Sequence, residues 1–356
     1  MSVSSSHPVL RTSPRLLSWT ALGLAGICLL PMLAVAVAAL SGGTDTVLHL
    51  AGSVLGRYVA NTALLVVLVS LGTFAVGVGA AWLVTMTRFP GVRTLEIALV
   101  LPLAFPAYVL AYAYTHVLDH PGIVHSTLRS AMGWGPRDYW FPEIRSLGGA
   151  AVMLVLVLYP YVYLLARASF LQQSGSTFMA ARALGSRPWA AFWRVSLPLA
   201  RPAIAAGGLL AVMETIADFG TVAYFGVQTF ATGIYTSWFS LGDRAGAAQL
   251  ALCLLSFALL LAMLERKQRG RAKYHDPSRG QKEQPPIDLT GWQAGAAMIL
   301  CGLPVLFGAV IPVIALFSLG LGSEQDLLSP RYMGFVRNSL TLAALAACLT
   351  LVAAVI

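Results

Sequence analysis

Charged residues are missing from six long stretches of the chain, 16–44, 58–87, 97–118, 146–166, 245–264 and 289–323. Each reaches or exceeds the roughly 20 apolar residues that a helix needs to cross a bilayer core. The stretch 338–356 is also uncharged, and 202–228 is interrupted only by Glu214 and Asp218. Eight spanning helices are therefore predicted. Lipid offers no partner to an exposed backbone N–H or C=O, so the expected class is an all-α polytopic membrane protein.

Composition agrees, with 58% hydrophobic and 10% charged residues and a mean hydropathy of +0.76. A soluble domain carries about 25% charged residues. The net charge of +9 raises a nucleic-acid role, but the placement of the basic residues argues for a membrane instead. With the N-terminus inside, Arg11, Arg15, Arg88, Arg93, Arg167, Arg182, Arg187, Arg194, Arg201 and the seven basic residues of 266–282 fall on cytoplasmic segments. Those are 16 of the 23. This is the positive-inside bias, and it leaves no basic face with interleaved aromatics for nucleic acid. Cys28, Cys253, Cys301 and Cys348 lie in apolar stretches without ligand spacing, and read as packing residues.

The segment Tyr58-Val59-Ala60-Asn61-Thr62 recurs as Phe335-Val336-Arg337-Asn338-Ser339, and Leu30-Pro31-Met32-Leu33-Ala34 is echoed by Ile311-Pro312-Val313-Ile314-Ala315. Such repetition marks a duplicated unit. The first unit, 1–264, holds six helices with both ends inside. The polar stretch 265–290 reads as a cytoplasmic linker, and 291–356 as the start of a second, parallel unit that stops inside its second helix. The first helix looks like a signal peptide, with Arg11 and Arg15 before an apolar run. Its internal counterpart argues that it is retained.

The stretch before the fifth span is the informative one: Met179-Ala180-Ala181-Arg182-Ala183-Leu184-Gly185-Ser186-Arg187-Pro188-Trp189-Ala190-Ala191-Phe192-Trp193-Arg194-Val195-Ser196-Leu197-Pro198. Gly185 permits a sharp turn and Pro188 opens a second short helix, which Pro198 and Pro202 are expected to end before the next span begins. The spacing of Ala180, Ala181, Gly185, Val195, Leu197 and Pro198 resembles the EAA loop of permeases from binding-protein-dependent ATP-binding-cassette importers. Met179 stands where that family carries an acidic residue. Leu101-Pro102-Leu103-Ala104-Phe105-Pro106 and Met213-Glu214-Thr215-Ile216-Ala217-Asp218-Phe219-Gly220 are similar to the ferric-iron branch, whose members are fused double permeases.

The resemblance implies a type I importer permease fold in an inner membrane, with the N-terminus cytoplasmic. It implies an ATPase dimer and a periplasmic substrate-binding protein as partners, with ATP and magnesium on the ATPase and no cofactor on this chain. The loop 179–198 is expected to dock the ATPase, anchored in its groove by Leu184, Trp189 and Phe192.

Glu214 and Asp218 form the other candidate site. On a helix starting at Pro202 they lie about 18 and 24 Å along it and share one face. Buried acids at such depth line aqueous paths or tie helices together. A hard ferric ion prefers oxygen ligands, which makes Glu214, Asp218 and Tyr224 a candidate path, with a structural pair as the alternative. Tyr108, Tyr112, Tyr114, Tyr159, Tyr161 and Tyr163 are read as interfacial anchors rather than path residues. His116, His120 and His125 are too loosely spaced for a metal site and read as part of a solvated external loop. The sequence shows no phosphate-binding Gly-Lys-Ser/Thr loop and no nucleophile arrangement. A secondary transporter would need no docking loop, and a membrane enzyme would need a cluster of catalytic groups. The same superfamily importing thiamine, phosphonate or polyamine is the closer alternative.

Overall fold

The computed structural model describes residues 14–43, 52–136, 138–173, 183–185, 188–269, 287–322 and 329–355. Among them, seven helices are long and apolar enough to cross a membrane, and eight spans result when one bent pair is counted as a single span. The spans are α1 (Pro14–Leu40), α2 (Leu55–Met86), α6 (Leu147–Gln172), α7 (Trp189–Ala217), α10 (Arg244–Arg269), α11 (Trp292–Leu321) and α12 (Pro330–Val355). Shorter helices sit between them: α3 (Val92–Ala98), α4 (Ala107–Leu118), α5 (Ile123–Met132), α8 (Gly220–Tyr224) and α9 (Phe230–Tyr235).

The third span expected at 97–118 is a broken one. Its two arms meet at 94°, with a 3-10 turn over Leu101–Ala104 and Pro106 in extended conformation. Pro102 and Pro106 explain the break, because neither offers an N–H to a helical ladder and each disfavours helix in the residue before it.

The core is built around α6. Gly77 of α2 and Gly207 of α7 both press on its middle turn. A Cβ on Gly77 would stand 2.9 Å from the Tyr159 carbonyl oxygen, and one on Gly207 would stand 2.8 Å from the Tyr161 oxygen and from Val162 Cα. Small residues bring backbones this close where no hydrophobic effect drives helices together. Tyr159 and Tyr163 are fully buried beside this contact, so these two tyrosines are core residues and not interfacial anchors. Tyr114 is buried too, and its hydroxyl donates to the Phe307 carbonyl oxygen at 2.6 Å.

Helix α11 packs on the first unit rather than standing apart from it. Gly308 abuts Pro102 and the Leu156 carbonyl, and Cys301 is fully buried in the same core as Tyr159 and Tyr163. A two-residue parallel pairing, β1 (Thr87–Arg88) with β2 (Ile287–Asp288), leads into it, extended by a hydrogen bond from the Leu289 N–H to the Arg88 carbonyl at 2.9 Å. The preceding linker, 270–286, lies outside the described residues.

Helix α1 is tied to α10 by a polar clamp. The Gln249 amide donates to the carbonyl oxygens of Ala39 at 3.1 Å and Gly43 at 3.2 Å. Replacing Gln249 by Leu should lower stability by about 1 kcal/mol, in the range of hydrogen bonds between membrane helices. A thermal midpoint measured in detergent reads this, and an unchanged midpoint would mean that the clamp holds nothing.

Helix α7 runs as one element through Pro198 and Pro202, where the sequence suggested a stop and a restart. A π turn at Phe192–Ser196 makes this possible, with the Leu197 N–H bonded to the Phe192 carbonyl. The wide turn gives the Pro198 ring room and absorbs the missing donor. Helix α11 repeats the device, with a π turn at Leu306–Val310 followed by Pro312.

Candidate functional site

Two places on the bundle carry the candidate residues. The first is the start of α7. Leu184 is 88% exposed and Trp189 59% exposed, and Gly185 between them has φ +88. That is left-handed backbone, which glycine adopts without strain. Val195, Leu197 and Pro198 are half-buried along the first turns of α7. Ala180, Ala181 and the rest of 174–182, with 186–187, lie outside the described residues.

Phe192 departs from expectation. It is 4% exposed and points into the bundle, its ring centroid 5.0 Å from Trp82 of α2 and 6.3 Å from Phe170 of α6. It cannot anchor in another subunit's groove, because its own helices already enclose it. Trp193, 52% exposed beside Trp189, takes the outward position instead. Beneath the cluster, Gln173 at the end of α6 donates to the Ser196 carbonyl oxygen at 2.9 Å. Arg167 pairs with Glu96 of α3, whose carbonyl oxygen accepts from the Tyr163 hydroxyl at 2.9 Å.

The second place is a cavity of about 330 Å³. The broken third span forms one wall through Phe105 and Pro106, α6 contributes Leu158 and Tyr161, and the end of α7 contributes Glu214 and Asp218. Irregular backbone inside a membrane protein is tolerated where it lines such a space.

The two acids do not share a helix face. Helix α7 ends at Ala217, and Asp218 is extended, with φ −65 and ψ 122. Its carboxylate accepts from the N–H groups of Thr221 at 3.1 Å and Val222 at 3.2 Å and from the Thr221 hydroxyl at 3.0 Å. Those bonds satisfy orphan donors at the start of α8. Glu214, one turn back, is exposed, and among the described residues no hydrogen bond or ion pair engages its carboxyl. The structure thus divides the pair into one committed acid and one open acid.

Tyr224 stands apart from this cavity. Its ring packs edge-on to Tyr112, with centroids 6.2 Å apart, and under the Arg145 guanidinium at 5.2 Å. Arg145 in turn pairs with Asp119 at 3.0 Å, and the Asp119 carboxylate holds the guanidinium above its ordinary pKa. Tyr161 is the cavity tyrosine; the sequence grouped it with five others and gave no sign that it alone faces this space.

His125, expected in a solvated loop, is 5% exposed. Its Nδ1 lies 2.5 Å from the Tyr139 hydroxyl and its ring packs on Phe141. Among the described residues no group of three or more His, Cys, Asp or Glu side chains could hold a metal ion.

Comparison with known proteins follows the same lines. Residues 73–271 match the family described as "Binding-protein-dependent transport system inner membrane component". The Fe(3+)-transport system permease protein FbpB 2 of Haemophilus influenzae is 26% identical over 226 residues, 64% of this chain and 40% of that protein. The chain thus spans less than half the length of that relative. The molybdenum transport system permease protein ModB of Escherichia coli is 27% identical over 208 residues, 55% of this chain and 88% of that protein. A chain of the crystal structure of a bacterial alginate ABC transporter, in complex with a pentasaccharide-bound periplasmic protein, superposes with a TM-score of 0.60 at 17% identity. The match covers 73% of this chain and 96% of that one. The fold is the type I importer permease fold, and with more than half of its length matched, the chain belongs to the family of binding-protein-dependent transport system inner membrane components.

Proposed function

We propose that this chain is the translocation subunit of an ATP-driven importer, passing ferric iron inward from a periplasmic binding protein. A separate ATPase docks on the loop 179–198, and ATP and magnesium bind on that subunit; this chain hydrolyses nothing. The N-terminus is inside, which puts Leu184, Gly185 and Trp189 on the cytoplasmic side. Family membership supports the partners, and the exposed start of α7 supplies a surface for one of them.

The observation that carries the cargo is the open carboxyl of Glu214 in the cavity. Named transport roles among the relatives include both ferric iron and molybdenum. An oxyanion entering this cavity meets a carboxylate of its own sign. A ferric ion, a hard cation, meets an oxygen ligand, with the Tyr161 hydroxyl beside it as a second. The same superfamily with another cargo is the second reading, and the spread of relatives favours keeping it in the test.

Proteoliposomes holding the chain, its ATPase and its binding protein should take up ferric iron in an ATP-dependent way that molybdate and sulfate do not compete. Glu214→Gln should slow that uptake about ten-fold, equivalent to about 1.4 kcal/mol, with protein amount and bound ATPase unchanged. Molybdate uptake that rises in Glu214→Gln would reverse the assignment of charge and cargo.

A further inference from the structure

The indole of Trp82 is buried at 9% exposure, on α2 where it meets the start of α7. Its ring is 5.0 Å from Phe192 and 5.8 Å, edge-on, from Trp189. Its Nε1–H is buried with no hydrogen-bond partner among the described residues. Buried indole N–H groups usually find an acceptor, and leaving one unpaired costs free energy. A phenylalanine would keep an aromatic ring at this contact without an unpaired donor, though it is smaller by one fused ring. The unpaired donor therefore marks a side chain that this conformation does not fully satisfy.

The neighbouring backbone departs from a regular α-helix. The π turn at Phe192–Ser196 interrupts the helical ladder at the base of the docking segment, and such turns, like the proline that follows, are where helices bend. Its far end is pinned to α6 by Gln173 on the Ser196 carbonyl. Phe192 at the near end lies between Trp82 and Phe170. A swing of the docking segment about Ser196 must shift Phe192 across the Trp82 ring. From Phe192, helix α7 continues to Glu214, about 33 Å along at 1.5 Å per residue, and α6 also lines the cavity.

We propose that Trp82 is a positioning residue for transport. It is the fixed partner against which Phe192 takes two positions, and its N–H is satisfied only in the second. The unpaired state seen here is then one end of a two-state element, biased by whatever binds the docking segment. This inference rests on the docking reading above, and it adds the route by which docking reaches the cavity.

Trp82→Phe tests this role, because it keeps an aromatic ring against Phe192 while removing the donor, together with the volume of one fused ring. In proteoliposomes with the ATPase and a binding protein loaded with ferric iron, the variant should match the wild type in amount and in bound ATPase. Its thermal midpoint should fall only by the modest amount that the lost ring volume costs. Uptake per ATP hydrolysed should fall about five-fold or more, the scale of coupling between linked sites. Phe192→Leu, which removes the moving ring, should uncouple in the same way. Uptake per ATP equal to wild type in Trp82→Phe overturns the proposal, and so does loss of bound ATPase in that variant, which would make the indole part of the docking surface. Failure of the wild-type chain to hold an ATPase at all is a separate result, and it removes the docking reading instead.

Discussion

Gly207→Leu should leave almost no correctly packed protein. The Cβ alone would sit 2.8 Å from the Tyr161 carbonyl oxygen and 2.8 Å from Val162 Cα. Both are backbone atoms of α6 and cannot swing aside as a side-chain tip can. Helices α6 and α7 must then separate, and α6 is held at the same turn by Gly77, whose own Cβ would meet Tyr159 and Val162 at 2.9 Å. Overpacking a core typically costs about 1–3 kcal/mol and occasionally more. The upper end applies here, because the clash is helix against helix and the isobutyl group adds volume beyond it. Gly207→Ala should already lower the thermal midpoint clearly. Gly79→Ala is the control: that glycine lies on the same helix as Gly77 and a Cβ there meets nothing within 4 Å. It should be neutral or stabilising by up to about 1 kcal/mol, since glycine in a helix interior costs that much relative to alanine. Size-exclusion profiles and thermal midpoints in detergent decide the matter. A Gly207→Leu protein eluting and melting like the wild type would mean that α6 and α7 do not meet at this point.

The spans were legible in the sequence because lipid excludes charge so strongly that the gaps between ionisable residues mark them. Helix ends inside those gaps were harder. Glu214 and Asp218 read as one helical face because no glycine or proline separates them, yet Asp218 is followed three residues later by Thr221 at the start of α8. An acid placed just before a helix start caps it, and the uncharged length of the apolar run hides that signal. Pro102 and Pro106 likewise marked the broken span, although the uncharged stretch 97–118 read as one continuous helix. The docking segment failed for another reason. Whether Phe192 faces outward or inward depends on Trp82 and Phe170, which are far away in sequence, and spacing within the segment carries no information about them. Tyr159, Tyr161 and Tyr163 show the same limit, with two in the core and one on the cavity.

At the proposed docking end, Gly185→Glu should abolish association with the proposed ATPase partner while leaving the bundle intact. Gly185 has φ +88, and a Cβ there would meet nothing within 4 Å. Substitution therefore causes no clash. It acts through backbone strain, about 1–2 kcal/mol for a residue forced into the left-handed region, and through a new negative charge between the exposed Leu184 and Trp189. Relaxing that strain moves Leu184 and Trp189 relative to each other, so a partner shaped to receive both loses one. Asparagine tolerates left-handed backbone far better than glutamate and adds no charge. Gly185→Asn should therefore keep most of the bound ATPase, and Gly185→Ala should fall between the two. The measurement is co-purification of the ATPase with each variant from the same membranes, scaled to the amount of inserted chain. If Gly185→Glu retains the ATPase at the wild-type level, the exposed start of α7 is not the docking surface. If all three variants lose it equally, with the chain itself gone from the membrane, the turn serves folding alone. The graded order Asn, Ala, Glu, at constant chain level, is the result that places the ATPase on this loop.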